Sequence, residues 1–526
     1  MKQRLSALAL ALLISFPADA LLLQQGDVQF ELDPATLHIA AGPVPINLAQ
    51  PAQQVTDLTA TPRRASWRWP QRAINVSARL EGGDLRLSFS SDRPQTLNWY
   101  RMPQGETLLL PIGEGSRIPL DNAVWRHYLT TEMTPLDTNW DLKLPLWSLQ
   151  HQGKVYSWLM LTPFSNQIAF AAAQEKLAMR ASHQFNRFNQ QQAFEVLLHV
   201  GDAPLSGARR YRDYLQQNGR FSSLREKIKQ APEGEKLIGA THIYLWGDQL
   251  LAAEDVKDWP GLLHYLASPA AEALRQKMDA ESRSLLLRLA GKTPEGWQQQ
   301  HLIDGINRAL AAQFALGATP DDADFLQAQQ RQAAAVRALA QRELGRWLTP
   351  ADGWGQGLAK PVIDALRQAG LPRLWLGTDN WTAAFLHPQA VAAAKAAGYL
   401  IASYDSYDTA IARGVNDSWL PAQLPTTLRE SCAIVRADGS RKPGFGKQGY
   451  YLNPGCVLPY YQQRMRELVQ LAGLNSLFLD VDGTGMVSDD YQPDHPTGAA
   501  QMAEARNARL AWFSATLKLP LGSEDG

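Results

Sequence analysis

The sequence predicts a multidomain protein: an N-terminal β-sandwich, then a (β/α) TIM-type barrel that looks incomplete at its C-terminus, with a helical insertion after the first barrel strand. Three observations carry this. Residues up to about 202 hold short period-two segments separated by turn residues. From Leu237 onward, short apolar runs alternate with helical patterns, as in a parallel α/β layer. Between the first and second of those runs, residues 249–346 are rich in Ala, Leu and Gln with helical periodicity. A chain of 526 residues has room for this, at about 100–200 residues per domain.

The elements follow in order. Residues 1–20 read as a secretory signal peptide: Lys2 and Arg4 begin it, Leu5 to Phe16 is an apolar run too short to span a bilayer, and Ala18 and Ala20 frame a small-x-small cleavage site. Residues 21–202 form the sandwich. Its clearest signal is a hairpin, with alternation in Ile74–Leu80 and again in Leu85–Phe89 around Gly82 and Gly83. Residues 203–235 read as a helical linker and 236–526 as the barrel portion. Strand-like runs occur at Leu237–Trp246, Leu374–Gly377, Tyr399–Tyr404, Ser476–Leu479 and Leu519–Gly522. The intervening helices are expected near 355–369, 388–397, 460–471 and 499–517. Five strands fall short of the eight of a closed barrel, so the expectation is a truncated barrel.

Composition narrows the partners. Lys+Arg and Asp+Glu both number 51, so bulk charge does not favour nucleic acid. After the signal no run is long enough to cross a membrane. The expected location is exported, periplasmic or secreted; oligomeric state stays open. Cys432 and Cys456 are the two cysteines, and an oxidising compartment permits a disulfide between them or leaves two buried thiols.

In parallel α/β folds ligands bind at the carboxyl ends of strands. Each predicted strand end delivers a carboxylate: Asp248, Asp379, Asp405 with Asp408, Asp480 with Asp482, and Glu524 with Asp525. Acids and aromatics without a Ser/His pair, a phosphate loop or a metal cluster suit glycoside hydrolysis, which needs two carboxyls across a glycosidic bond. Adjacent strands are about 4.8 Å apart, which matches the ~5–5.5 Å carboxyl separation of retaining enzymes. Asp480 and Glu524, on the fourth and fifth strands, meet that condition if those strands are neighbours, and are the candidate catalytic pair, nucleophile and acid/base. Trp246, Trp381 and Tyr404 are candidates to stack on sugar faces, and Asp379, Asp405 and Asp482 to bind the sugar. No cofactor is called for. The loop Ser488–His495 has oxygen ligands for Ca²⁺ but reads better as a turn-rich loop, and His242 reads as a satisfied core histidine.

The segments Leu477–Gly483 (LFLDVDG) and Leu519–Gly526 (LPLGSEDG), with Asn98–Arg101 and Leu110–Ser116 in the sandwich, resemble exported glycoside hydrolases related to endo-α-N-acetylgalactosaminidase and α-N-acetylgalactosaminidase, families 101 and 129. The resemblance implies a sandwich before a (β/α)₈ barrel. It also implies a retaining mechanism on α-linked galactosamine-type sugars, with Asp480 as nucleophile and Glu524 as acid/base. Two other readings compete. Leu477–Thr484 also matches the apolar-DxDGT motif of haloacid-dehalogenase-like phosphatases, in which Asp482 would be the acid/base. A truncated barrel could instead serve as a non-catalytic carbohydrate-binding protein.

Overall fold

The structure is a computed structural model that describes residues 20–314 and 324–524. The expected signal peptide, apart from Ala20, lies outside the described residues, as does Asp525. The chain divides into two compact units, residues 1–221 and 222–526.

The first unit is a large antiparallel β-structure. The sequence-predicted hairpin is present: Ile74–Glu81 pairs with Asp84–Ser91, from Ile74 opposite Ser91 to Glu81 opposite Asp84. Gly82 and Gly83 turn it with φ of +59° and +96°, the left-handed pair that a two-residue hairpin needs. The hairpin belongs to a nine-stranded sheet, and a four-stranded sheet carrying Gln95–Arg101 shares its core. Trp99 of the smaller sheet lies 5.5 Å from Trp147 and 5.3 Å from Trp158 of the larger, and all three are fully buried. Aromatic side chains of this size each remove ~150–250 Å² from water, so this cluster dominates the core. One element has no period-two signal: the helix Ala123–Thr131, whose N-cap Asn122 accepts from the Val124 and Trp125 amides.

The predicted linker at 203–235 is divided between the units. Helix Ser206–Gln217 packs on the large sheet, and at Gly207 a Cβ would meet Ser157 Oγ at 2.5 Å, so only glycine allows that approach. Helix Leu224–Gln230 belongs to the second unit.

In the second unit, five strands form one parallel sheet in chain order: β1 (Thr241–Tyr244), β2 (Leu374–Thr378), β3 (Leu400–Asp405), β4 (Ser476–Leu479) and β5 (Leu521–Ser523). All four pairings are parallel. All five sequence-predicted runs thus overlap a strand, in the sequential order that repeated βα units produce. The sheet is a half-barrel. Between β1 and β2 the predicted insertion is helical and includes α1 (Gly296–Ala312) and α2 (Phe325–Leu344). Leu262, Leu266, Leu302, Ile303 and Ile306 are fully buried within it and continuous with the core behind the sheet. Then come α3 (Lys360–Gln368), α4 (Thr382–Leu386), α5 (Pro388–Ala396), α6 (Pro454–Ala472) and α7 (Ala499–Leu517).

Strand alternation gives the sheet two unlike faces. Leu374, Leu376, Ile401, Leu477 and Leu479 are buried under the helices. The other face is aromatic. His242 stacks on Trp375 at 4.4 Å and on Phe478 at 5.5 Å. At Gly522 of β5, any Cβ would overlap the Trp375 ring. His242 is exposed on that face, so it is no core histidine; the period-two pattern of β1 aims it away from the helices.

Candidate active site

β4 ends at Leu479 and β5 at Ser523, and these two residues are register partners. Asp480 and Glu524 therefore follow at the tips of neighbouring strands, about 4.8 Å apart at the backbone. Asp480 is half-buried and Glu524 exposed. The Asp480 amide donates to the Asp405 carbonyl at 2.9 Å, extending the β3–β4 ladder by one residue. Its Oδ2 accepts from Ser406 Oγ at 3.0 Å, and the Tyr404 hydroxyl also bonds its carboxylate. Desolvation, then the Asp480 charge, pushes the Tyr404 hydroxyl far above its ordinary value, so it stays a donor. Desolvation, then the charges of Glu524, Asp379 and Asp480, lifts Tyr244 to about 12. One tyrosine thus lies in the field of three of the predicted acids.

Val481 follows Asp480 with φ of +43°. A β-branched residue in the left-handed region is strained, and such strain persists where surrounding structure over-determines it, typically at a functional site. Here it turns the chain sharply between Asp480 and Asp482, which face different surroundings.

Three predicted sugar-binding residues are engaged elsewhere. Asp405 is fully buried; Arg464 of α6 and the Tyr407 hydroxyl bond its carboxylate, the former at 2.5 Å and the latter at 2.8 Å. Asp482 is buried against Arg509 of α7, whose Nε donates to Oδ2 at 2.6 Å and whose Nη2 donates to Oδ1. Trp381 is 0% exposed, donates Nε1 to Gln329 Oε1, and has the Arg464 guanidinium over its ring at 4.6 Å. All three side chains are engaged with protein partners. Asp408 is likewise buried and paired with Arg506 of α7. The pattern has a physical cause: a carboxylate at the foot of a packed helix keeps its charge only with a guanidinium beside it. Asp482 is therefore held as an ion-pair partner, which counts against the phosphatase role in which it must transfer protons.

The other predicted residues remain open. Trp246 is 68% exposed and stacks on Tyr244 at 5.3 Å with 21° between the rings. Asp379 is exposed, and desolvation together with the Asp248 charge raises its carboxyl above the usual value.

Sequence reasoning missed Tyr244, Ser406, Tyr451 and Lys442. The last two belong to the long segment between β3 and α6. Burial, then the charges of Asp408 and Asp480, raises Tyr451, which places it at the same site. The Lys442 ammonium lies 4.8 Å from the centre of the Tyr451 ring and donates to Ser488 Oγ at 3.1 Å; burial lowers its pKa. The segment is pinned by the Cys432–Cys456 disulfide, which ties it to the first turn of α6. It is pinned again by Asp490. That carboxylate is fully buried and accepts from the Val435 and Gln492 amides and from Asn453 Nδ2, and His495 lies 3.0 Å away. The oxygens of the suspected Ca²⁺ loop are thus committed to protein donors at Asp490. Among the described residues no group of three His, Cys, Asp or Glu side chains is disposed to hold a metal, and no helix is long and apolar enough to cross a membrane.

Residues 365–526 match the family model described as glycosyl hydrolases related to GH101 family, GH129. The match begins in α3 and contains both Asp480 and Glu524. Over these residues the chain is similar to glycoside hydrolases related to GH101 and GH129. No curated protein matches its sequence. Among solved structures it is similar to the α-N-acetylgalactosaminidase NagBb of Bifidobacterium bifidum. The ligand-free form gives a TM-score of 0.60 at 15% identity, covering 96% of this chain and 77% of that one. The GalNAc complex gives 0.58 at 14%, covering 96% and 76%. At that identity the likeness is one of fold. It takes in residues of both units.

Proposed function

We propose that this GH129-related protein is an exported retaining glycosidase acting on α-linked N-acetylgalactosamine-type or related glycosides. Asp480 is the nucleophile and Glu524 the general acid/base. The observation that carries the reading is the register of β4 against β5: it sets Asp480 and Glu524 on adjacent strand tips, from which two carboxyls can reach the ~5–5.5 Å separation of a double displacement. The strand order is that of a TIM-type barrel, which supports reading the half-barrel as part of one. The sugar class is proposed by analogy with the structurally similar NagBb, named an α-N-acetylgalactosaminidase. Export is supported by the sequence of residues 1–20 and by a disulfide suited to an oxidising compartment.

In the first step Glu524 gives its proton to the glycosidic oxygen as the C1–O bond breaks, and an Asp480 oxygen bonds C1. The aglycone leaves as an alcohol. In the second, Glu524 takes a proton from water, whose oxygen displaces Asp480 from C1 and releases the free sugar. Ser406 and Tyr404 hold the Asp480 carboxylate by donating to it, fixing the attacking oxygen. Trp246 and Tyr244 offer an aromatic surface to the substrate.

The test is hydrolysis of aryl α-N-acetylgalactosaminides within a panel of aryl glycosides. Asp480→Ala is expected to abolish turnover, with azide restoring it as the glycosyl azide. Full activity in Asp480→Ala overturns the assignment. Hydrolysis of no glycoside in the panel, with sugar binding retained, would instead indicate a carbohydrate-binding protein.

A further inference from the structure

We infer that the turn after β4 is a positioning device: it fixes the separation of the nucleophile and the acid/base, with Val481 and Ser523 as its positioning residues. The inference rests on Asp480 and Glu524 being that pair. Strand register alone does not fix it. The last paired residues of β4 and β5 are Leu479 and Ser523, so both acids lie one residue beyond the ladder. A double displacement needs ~5–5.5 Å between the two carboxyls, and an inverting reaction ~6.5–9.5 Å. Strand tips free to splay would drift out of the first range, so something past the ladder has to hold them.

Two ties close the turn onto the βα unit that carries Glu524. The Gly483 amide donates to Ser523 Oγ at 2.7 Å. Ser523 is joined covalently to Glu524, so this bond fastens the turn that follows the nucleophile to the residue that precedes the acid/base. The second tie comes from α7, the helix that leads into β5. Arg506 Nη1 donates to the Val481 carbonyl at 3.2 Å, and the same side chain is buried and paired with Asp408. The Thr484 hydroxyl and amide reach that carbonyl as well, at 2.8 and 3.1 Å. Three donors on one carbonyl leave it no spare acceptor capacity. Val481 itself shows that the turn is held rather than merely allowed. At its φ of +43° stability alone favours glycine or asparagine. Glycine has a broad well there, whereas a β-branched residue forced into the region has a narrow one. Valine therefore costs strain and limits how far the backbone next to Asp480 can rock.

The test uses the full chain and the aryl glycoside that the panel identifies. Val481→Gly releases the strain and Ser523→Ala removes the acceptor of the Gly483 amide. A misplacement of about 1 Å can cost about 100-fold, so each variant is expected to lower kcat about 10- to 100-fold while KM stays within about threefold. Ser523→Thr keeps the acceptor oxygen and is expected to recover kcat to within about threefold of wild type. Amide hydrogen exchange in β4 separates positioning from stability. It should be no faster in Val481→Gly than in wild type, because the strain relieved offsets the backbone freedom that glycine adds to the unfolded chain. Lower kcat with unchanged exchange supports the inference. Wild-type kcat in both Val481→Gly and Ser523→Ala overturns it, and so does a loss matched by faster exchange in β4, or a Ser523→Thr variant as impaired as Ser523→Ala. These outcomes all require an active wild type. A wild-type chain that hydrolyses no glycoside fails the glycosidase reading itself, and the positioning role falls with it.

Discussion

Arg509→Met tests the claim that Asp482 is a structural carboxylate. Both side chains of this pair are 1% exposed, and two N–H···O contacts join them. Removing one partner of a buried pair costs about 3–5 kcal/mol, because the other charge is left without compensation. The structure ranks the two halves. Asp408 acts on both residues: its charge favours the Arg509 guanidinium, and Asp482 in turn disfavours ionisation of Asp408. Asp482→Asn leaves Arg509 with a residual counter-charge and belongs at the lower end, about 3 kcal/mol. Arg509→Met leaves Asp482 facing Asp408 and belongs at the upper end, about 5 kcal/mol. Replacing both by leucine removes both charges and should return stability to within about 1–2 kcal/mol of wild type. Amide hydrogen exchange in β4 and α7 reads these opening energies locally, which avoids treating two units as one transition. Equal losses in the two single variants, or losses under about 1 kcal/mol in both, would refute the reasoning. Turnover per folded molecule sharpens the point. Asp482→Asn should keep it; a folded but dead variant would restore Asp482 as a proton-transfer group.

Two further outcomes are expected. Tyr404→Phe and Ser406→Ala each remove a hydrogen bond to an ionised carboxylate, worth about 1.5–3 kcal/mol, so kcat/KM on an aryl glycoside should fall roughly 10- to 150-fold; wild-type kinetics in the double variant would disprove the orienting role. In the first unit, burial pushes His183 from 6.5 down to about 3, with its ring stacked on Phe194 at 4.1 Å and bonded to Asn166. A depressed folded pKa gives stability that is complete above 6.5 and lost as pH falls toward 3, so about 3 kcal/mol should be missing at pH 4. Thermal unfolding of this unit at pH 7 and pH 4 should show that loss in wild type and a smaller one in His183→Phe; identical pH dependence would contradict it.

The strands of the second unit were legible because a buried parallel strand writes itself locally: Leu477, Leu479 and their neighbours form a short apolar run that stops at an acid. The same local signal pointed to Asp480 and Glu524. It could not sort the acids, because what distinguishes them lies far along the chain. Arg464 is 59 residues from Asp405, Arg509 is 27 from Asp482, and Arg506 is 98 from Asp408. Gln329, which claims the Trp381 indole, is 52 residues away. A usable signal did exist: Arg506 and Arg509 share one face of α7 with buried Met502 and Phe513. Arginines three apart on an apolar stripe need buried anions, and the strand ends upstream supply acids. The segment between β3 and α6 gave no such hint. It has little regular structure, and its bearing on the site comes from the disulfide and from Asp490, which no period records. The division of the acids is itself an argument about function. The fold neutralises Asp405, Asp408 and Asp482 with one arginine each. Asp480 is given hydroxyl donors, which orient a carboxylate without adding a counter-charge. A protein that only needed acids as structural caps would have no reason to treat the fourth one differently.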